Sequence, residues 1–380
     1  MVDFNFNREH EIVQKVMREF AEKEIKPIAA EIDRTGRFPR ESLDKMARYH
    51  MMGIPIPTEY GGAGGDDLAY IIAVEELSKV CATTGIILST HTSLVCWPIL
   101  EYGTEEQKKK YLIPLAKGEK LGAFALTEPN AGTDAAAQQT RAVLKGNNYI
   151  LNGTKVFVTN GGEADLYIIF AVTDREKRHR GISAFLVEKD TPGFSIGKIE
   201  DKMGIRGSST AELILRDCVV PKENLLGEEG QGFKIAMATL DGGRIGVAAQ
   251  ALGIAEGALE ETIKYVKDRK QFGRPLAKFQ GLQWIIADMH VEIEAAKLLV
   301  YKAAYNKMKG LPYNKEAAMA KLFASKTAMK VTTQCVQLHG GYGYIKDYPV
   351  ERMMRDAKIT EIYEGTNQVQ QMVIASNILK

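Results

Sequence analysis

Hydropathy in this chain changes period twice, and the order of those periods restricts the fold more than any single motif does. From Asn7 to about Ala116, apolar residues recur at helical spacing against charged faces, in Glu11 to Ile28, Pro39 to Met52, Leu68 to Lys79 and Glu105 to Leu115. Pro55, Pro57 and Gly61-Gly62 interrupt that pattern. Between about Gly122 and Leu226 it gives way to short β-branched and aromatic runs: Asn148 to Val158, Ala164 to Val172, Gly181 to Val187 and Ala211 to Val220. Asn-Gly, Asp, Gly and Pro bound these runs. From Gly232 long helical patterns return, through Asp241 to Lys267, Phe279 to Met308, Asn314 to Leu338 and Thr366 to Leu379. The expectation is an α+β multidomain protein, with a helical domain at 1–121, a central antiparallel β domain at 122–230 and a second helical domain at 231–380. Strands gathered in one block, rather than alternating with helices, argue against a doubly wound parallel sheet.

Local motifs support that exclusion. Neither Gly230-Gln231-Gly232 nor Gly341-Tyr342-Gly343 continues to the third glycine of a dinucleotide crevice. The Tyr60 to Gly65 stretch, YGGAGG, lacks the Lys and Ser/Thr of a phosphate loop and reads as a plain loop. The histidines at 10, 50, 91, 179, 290 and 339 are scattered, and Cys81, Cys96, Cys218 and Cys335 form no CxxC pair, so no metal is expected. Those cysteines read as reduced core thiols of an intracellular protein.

A chain of 380 residues, 45% of them hydrophobic, can bury several cores. Its formal charge of +2 comes from interleaved acids and bases with no basic stripe, which argues against a nucleic-acid partner. No apolar run reaches the roughly 18 residues a membrane span needs, and Met1 to His10 carries acids without an apolar signal core. No membrane insertion is expected. The expected location is the cytoplasm, or the mitochondrial matrix if the chain is a processed eukaryotic one.

Chemistry concentrates near the C-terminus, in Ile362 to Gln370. There Glu364 stands between bulky neighbours and is followed by Gly365, then by Thr366, Asn367 and Gln368, as for a general base at the mouth of a cofactor site. Two turn-forming stretches flank strands of the β domain, Leu126 to Asp134 and Phe157 to Gly162. Hydroxyls of Thr127, Thr133 and Thr159 could bond an isoalloxazine edge while Phe157 covers its face; ordinary turn residues explain either stretch as well.

Six segments together resemble the acyl-CoA dehydrogenases: TEPNAGTD at 127–134, FVTNGG at 157–162, KMGIRGSSTAEL at 202–213, RKQFGRPL at 269–276, QLHGGYGY at 337–344 and IYEGT at 362–366. They follow that family's order and spacing across essentially the whole chain, and look closest to its short-chain, butyryl-CoA type. The resemblance implies a helical N-terminal domain, a central β domain and a C-terminal four-helix bundle. FAD would lie between the latter two and a neighbouring subunit of a homotetramer, a dimer of dimers.

The activity implied is FAD-dependent α,β-dehydrogenation of a short-chain saturated acyl-CoA, butyryl-CoA preferred, to the trans-2-enoyl-CoA. An electron-transferring flavoprotein would take the electrons. Glu364 matches the family's base for the α proton. Its N–H and the ribityl 2′-hydroxyl would bond the thioester oxygen while the β hydride passes to the flavin. Arg269 would reach the FAD pyrophosphate of the adjoining subunit and Phe272 would pack near adenosine. Gln337, Gly340 and Gly341 would grip FAD across that interface, and Thr366 and Gln368 would bind it beside the base. Thr133, Asp241, Arg244, Tyr363 and Gly365 are assigned to the substrate region.

Isovaleryl and long-chain relatives place their base where this chain has Gly243, so no second carboxylate competes with Glu364. Gly242 and Gly243 within a helical pattern cost roughly 1 kcal/mol each relative to alanine; close passage of the acyl or pantetheine chain is the expected reason. Gly85 stands where glutaryl-CoA relatives carry an arginine, which implies an uncharged acyl tail. His339 receives no proton-transfer role. An acyl-CoA oxidase, a medium- or branched-chain dehydrogenase and a non-catalytic flavin- or acyl-CoA-binding scaffold are the alternatives.

Overall fold

The computed structural model describes residues 7–379. Asn7 opens the first helix as a capping box, its side chain accepting from the His10 N–H at 2.9 Å. Helix α1 (Arg8–Phe20) runs through a π-helical turn into α2 (Lys26–Thr35), which stops at Gly36 in the left-handed conformation that glycine tolerates. After α3 (Arg40–Arg48), Asp66 caps α4 (Asp67–Val80) by accepting from Ala69 N at 2.8 Å.

Helix α5 (Ala82–Ser89) then continues through a π-helical segment, Thr90–Cys96, into α6 (Trp97–Tyr102). The periodicity shows no helix there, because every residue from Ala82 to Cys96 is buried and no polar face marks the turn. The short helices α7 (Glu105–Gln107) and α8 (Ile113–Ala116) complete the N-terminal part.

Eight strands form one sheet: β1 (Gly122–Ala125), β2 (Arg141–Lys145), β3 (Asn148–Thr159), β4 (Leu166–Val172), β5 (Ile182–Glu188), β6 (Phe194–Ile199), β7 (Thr210–Pro221) and β8 (Leu225–Leu226). Their order is β6-β7-β3-β2-β4-β5-β8, with β1 beside β4. The pairing is antiparallel as expected, except that β1 runs parallel to β4 and β2 meets β4 through one parallel rung, Arg141 with Val172. The four runs read from composition are β3, β4, β5 and β7; β1, β2, β6 and β8 are too short to announce themselves.

The remainder is helical: α9 (Gly232–Asp268), a small hairpin of β9 (Lys270–Gln271) and β10 (Arg274–Pro275), then α10 (Gln280–Met308), α11 (Asn314–His339), α12 (Val350–Ile359) and α13 (Asn367–Ile378). Helices α9, α10 and α11 pack together, and α12 and α13 lie on α11. Helix α4 packs on α9 as well, so the two helical regions share one core that includes Ile72, Leu77, Leu252, Ile293 and Val331. A second core, with Leu112, Phe170, Leu186 and Ile235, joins the sheet to α8 and the start of α9. The close approach of α9 depends on glycine: a Cβ at Gly253 would lie 2.3 Å from the Glu75 carbonyl, and one at Gly257 would lie 2.1 Å from that of Lys79.

All four cysteines are buried and unpaired. Among the described residues no helix is long and apolar enough to cross a membrane, and no group of His, Cys, Asp or Glu could hold a metal ion.

Candidate active site

Glu364 sits in the turn between α12 and α13, with Thr366 capping α13 by accepting from Val369 N at 3.4 Å. Glu364 and Gly365 both adopt left-handed conformations, with φ of 53° and 95°. Glycine tolerates that freely, whereas glutamate is held there against a strain of about 1–3 kcal/mol by its surroundings. The Gly365 carbonyl accepts from Lys321 Nζ at 2.8 Å and Gln370 Nε2 at 2.9 Å, and the Tyr363 hydroxyl donates to Gln250 Oε1 on α9.

This backbone aims the carboxylate at α9. A Cβ on Gly243 would lie 2.2 Å from Glu364 Oε2 and 2.6 Å from Leu94 Cδ2. The glycine expected to make room for a passing acyl chain makes room for the Glu364 carboxylate. Gly243→Ala is expected to displace the carboxylate and lower kcat by about 10²-fold, the scale of a 1 Å misplacement. Steady-state kinetics alongside circular dichroism test this; unchanged kcat in folded protein would refute it.

Burial pushes the Glu364 carboxyl up to about 7, against the opposing pull of Lys321 and Arg244. Its Oε2 is shut from solvent and has no hydrogen-bond partner among the described residues. The same holds for Arg244 Nε, although Arg244 Nη1 donates to Asp241 Oδ1 at 2.6 Å. Asn314 Nδ2 holds that oxygen too, at 2.6 Å. Two orphaned buried polar atoms, one on α9 and one on the loop it faces, suit a ligand that completes them. A base must be ionised to accept a proton, so kcat/KM is expected to fall tenfold per pH unit below a limb near 7. A pH profile with its acid limb near the ordinary carboxylate range would contradict this environment.

In the β domain, Lys155 of β3 is fully buried and donates to Glu128 Oε1 at 2.7 Å, Leu126 O at 3.1 Å and Gln138 Oε1 at 3.1 Å. Glu128 also accepts from the N–H groups of Gln139 at 2.5 Å and Thr140 at 2.9 Å, and Val156 N donates to Thr127 O at 2.9 Å. The 127–134 turn is therefore strapped to β3, where the β3–β7 register shifts between Lys155 and Val158. At that irregularity Phe157 has φ of 57° and is 66% exposed. Thr133 is exposed, and Thr159 pairs with Thr210 of β7. Thr127, Thr133, Phe157 and Thr159 thus belong to one braced assembly. The π-helical segment connects it to the base: Leu94 meets the Gly243 position, while the next residue, Val95, packs on Gly122 of β1.

The remaining candidates cluster elsewhere. The Arg269 guanidinium lies 5.3 Å above the Tyr342 ring and Tyr265 stacks on His339 at 4.2 Å, so the hairpin adjoins Gln337, Gly340 and Gly341, all exposed. Phe272, at the hairpin tip, is 91% exposed with φ of 51°. His339 is buried, its Nδ1 2.8 Å from Cys335 O. Arg244 and Arg269 are separated by the C-terminal two thirds of α9, about 37 Å at the rise of an α-helix. Gln368 is exposed next to the base loop, whereas the Thr366 hydroxyl is engaged as a cap.

Lys321, Gln370 and the Lys155–Glu128 pair were not singled out in the sequence. Their available signal was a lysine inside an alanine-rich apolar stripe, and one at an inward strand position. A cleft of about 850 Å³ between α1–α2 and α12 is lined by charges of both signs, including Arg18, Lys26, Glu22 and Glu260. None of the residues around Glu364 lines it, so the candidate site is the Glu364 loop and not that cleft.

Comparison with known proteins places this geometry in a family. Models of acyl-CoA dehydrogenase domains match three successive stretches: the N-terminal domain at 7–119, the middle domain at 123–218 and the C-terminal domain at 230–379. The chain belongs to the acyl-CoA dehydrogenase family. It is 67% identical to the short-chain specific acyl-CoA dehydrogenase of Clostridium acetobutylicum, over 100% of both chains. It is 56% identical to the acryloyl-CoA reductase (NADH) of Anaerotignum propionicum, over 100% of this chain and 96% of that one. Among solved structures, butyryl-CoA dehydrogenase from Megasphaera elsdenii superposes with a TM-score of 0.98 at 55% identity, both chains covered in full. A chain from a study of the electron-transferring flavoprotein of Acidaminococcus fermentans and flavin-based electron bifurcation gives 0.99 at 60% identity, again in full.

Proposed function

We propose that this chain is an FAD-dependent dehydrogenase that converts short-chain saturated acyl-CoA, butyryl-CoA foremost, to the trans-2-enoyl-CoA and passes the electrons to an electron-transferring flavoprotein. The observation that carries this reading is the Glu364 carboxyl, raised to about 7, with Oε2 shut from solvent and without a partner among the described residues. Such a group is matched to removing a weakly acidic C–H proton near neutral pH. Among the described residues the Glu364 N–H donates to no backbone carbonyl, which leaves it for the thioester oxygen on which negative charge develops.

The residues present fit FAD. An exposed aromatic, Phe157, is fixed beside the hydroxyl-bearing 127–134 turn, and an exposed guanidinium, Arg269, suits a pyrophosphate. When bound, FAD supplies the acceptor for the hydride that leaves the β carbon. The protein's own part is to hold the α carbon against Glu364 and to exclude water from that carboxylate.

Substrate and assembly follow from packing. Gly85 is wedged against α4, where a Cβ would lie 2.1 Å from Ser78 Oγ, and this supports an uncharged acyl tail. The roughly 37 Å between Arg244 and Arg269 supports the latter serving the FAD of a neighbouring copy. Exposed Trp284, Val291 and Leu298 recur every seventh residue along α10, an apolar seam suited to a homotetramer interface. The flavoprotein partner and the butyryl chain are supported by the relatives named above.

Anaerobic titration with acyl-CoA from C3 to C12, followed by flavin bleaching, tests this reading, and the strongest response is expected with butyryl-CoA. Absence of bleaching with every thioester would defeat it, and rapid peroxide release in air would make the enzyme an oxidase. A second reading is reduction of an enoyl thioester. It is favoured by likeness to the acryloyl-CoA reductase and, at 52% identity, to a 3-(aryl)acrylate reductase of Clostridium sporogenes. A carboxylic acid near neutrality can return the proton it removes. Oxidation of the reduced enzyme by crotonyl-CoA, faster than bleaching by butyryl-CoA, would favour it.

A further inference from the structure

We propose that Lys321 is a positioning residue for Glu364, pinning the Gly365 carbonyl and the Asn367 carboxamide and so holding the base's loop in its working conformation. This role rests on Glu364 being the base, and specifies what keeps that base in place. Lys321 lies on α11 and is fully buried in a stripe that also carries Ala317, Ala320 and Ala324. Its Nζ donates to Gly365 O at 2.8 Å and to Asn367 Oδ1 at 3.3 Å; Ser325 Oγ donates to the same Oδ1 at 3.0 Å.

Among the described residues, no carboxylate lies within ion-pair distance of this ammonium. Burying a charge in that way is costly, and a neutral donor could satisfy the same two oxygens. What the charge adds is an action on Glu364. The two groups feel each other: Lys321 favours the ionised carboxylate, and Glu364 favours the ammonium. Geometry supports the same conclusion. The Gly365 carbonyl is held twice, by Lys321 and by Gln370, which fixes the peptide plane that follows two left-handed residues. A loop so strained keeps its shape only while its surroundings over-determine it.

The charged and titratable neighbours set the direction of the effect. Arg244 on α9 and Lys321 on α11 are the cations that act on Glu364. Tyr70 on α4 and Tyr363 on the loop itself feel its charge, and burial keeps both phenols neutral. Glu361 acts on Lys321, whose own ammonium is pulled down to about 7, chiefly by burial. Without the Lys321 charge, Arg244 alone remains to favour the carboxylate, and Arg244 is already engaged by Asp241. The proton is then held to higher pH.

The test compares Lys321→Met and Lys321→Gln holoenzymes with wild type in kcat/KM for butyryl-CoA across the neutral pH range. Circular dichroism and bound-flavin absorbance report on folding. Both variants are expected to move the acid limb upward by about one unit, the lower end of what one nearby opposite charge contributes. In Lys321→Met, kcat is expected to fall a further ~10-fold or more from misplacement, and less in Lys321→Gln, which still donates to Gly365. An acid limb at the wild-type position in either folded variant overturns the proposal. Glu364→Gln in the same series separates the two ideas. If it matches wild type, the base assignment falls and the Lys321 role with it; if it is inactive while the limb stays fixed in the Lys321 variants, only the Lys321 role falls.

Discussion

Glu364→Gln is expected to lower kcat by about 10²–10⁴, the range a positioned general base contributes, without unfolding the protein. Glutamine is nearly isosteric, fits the notch left by Gly243 and keeps the Glu364 backbone N–H; what it loses is the ability to accept a proton. Stability supplies the internal control. The folded carboxyl lies near 7 against an ordinary 4.5, so its ionisation opposes folding. The stability associated with the protonated form is full below 4.5 and is lost as pH rises through 7. Removing the titratable group lifts that penalty, so the variant's melting temperature at alkaline pH should be no lower than that of wild type. Anaerobic single-turnover bleaching measures the first expectation and thermal melts at acid and alkaline pH the second. Wild-type turnover in the variant would remove Glu364 from the chemistry.

The largest effect on stability is expected at Lys155. Its side chain is fully buried and that of Glu128 nearly so, at 0% and 6% exposure, and the lysine ties Glu128, Leu126 and Gln138 together. Lys155→Met leaves the Glu128 carboxylate buried without its cation, which typically costs about 3–5 kcal/mol. Lys155→Met combined with Glu128→Gln should recover most of that loss, because the uncompensated charge, more than the missing bond, is what destabilises. Urea unfolding of the two variants reads this directly. The 127–134 turn depends on the same strap, so protease sensitivity near Pro129 and Asn130 should rise in the single variant and return toward wild type in the double one. A single variant as stable as wild type would show that the pair is not what fixes the turn.

The sequence disclosed different parts of this molecule to different degrees, for physical reasons. Helices α9, α10 and α11 were legible because their length averages out local noise, and β3, β4, β5 and β7 because β-branched runs end at turn residues. The helical stretch from Ala82 to Cys96 was not, since burial on all sides erases the contrast that periodicity needs. The parallel placement of β1 was also hidden, because pairing direction is set by tertiary contact and not by four residues. Glu364 was legible because its neighbours in sequence carry its signature. Lys321 and the Lys155–Glu128 strap were not, because their partners lie 44 and 27 residues away. Gly243 falls between: a glycine in a helix announces a close neighbour, but only the fold identifies that neighbour as Glu364.

The glycines of α9 form a graduated edge. Gly243 clears Glu364, Gly246 clears Ser89 and Tyr70, Gly253 clears the Glu75 carbonyl and Gly257 that of Lys79. A single inserted residue after Gly243 would swing every later notch by about 100° while leaving the first in place. Catalytic alignment and the docking of the N-terminal helices are thereby read from one rigid rod. Descendants of this chain can change the lettering on that rod, but not its length, without losing one alignment or the other.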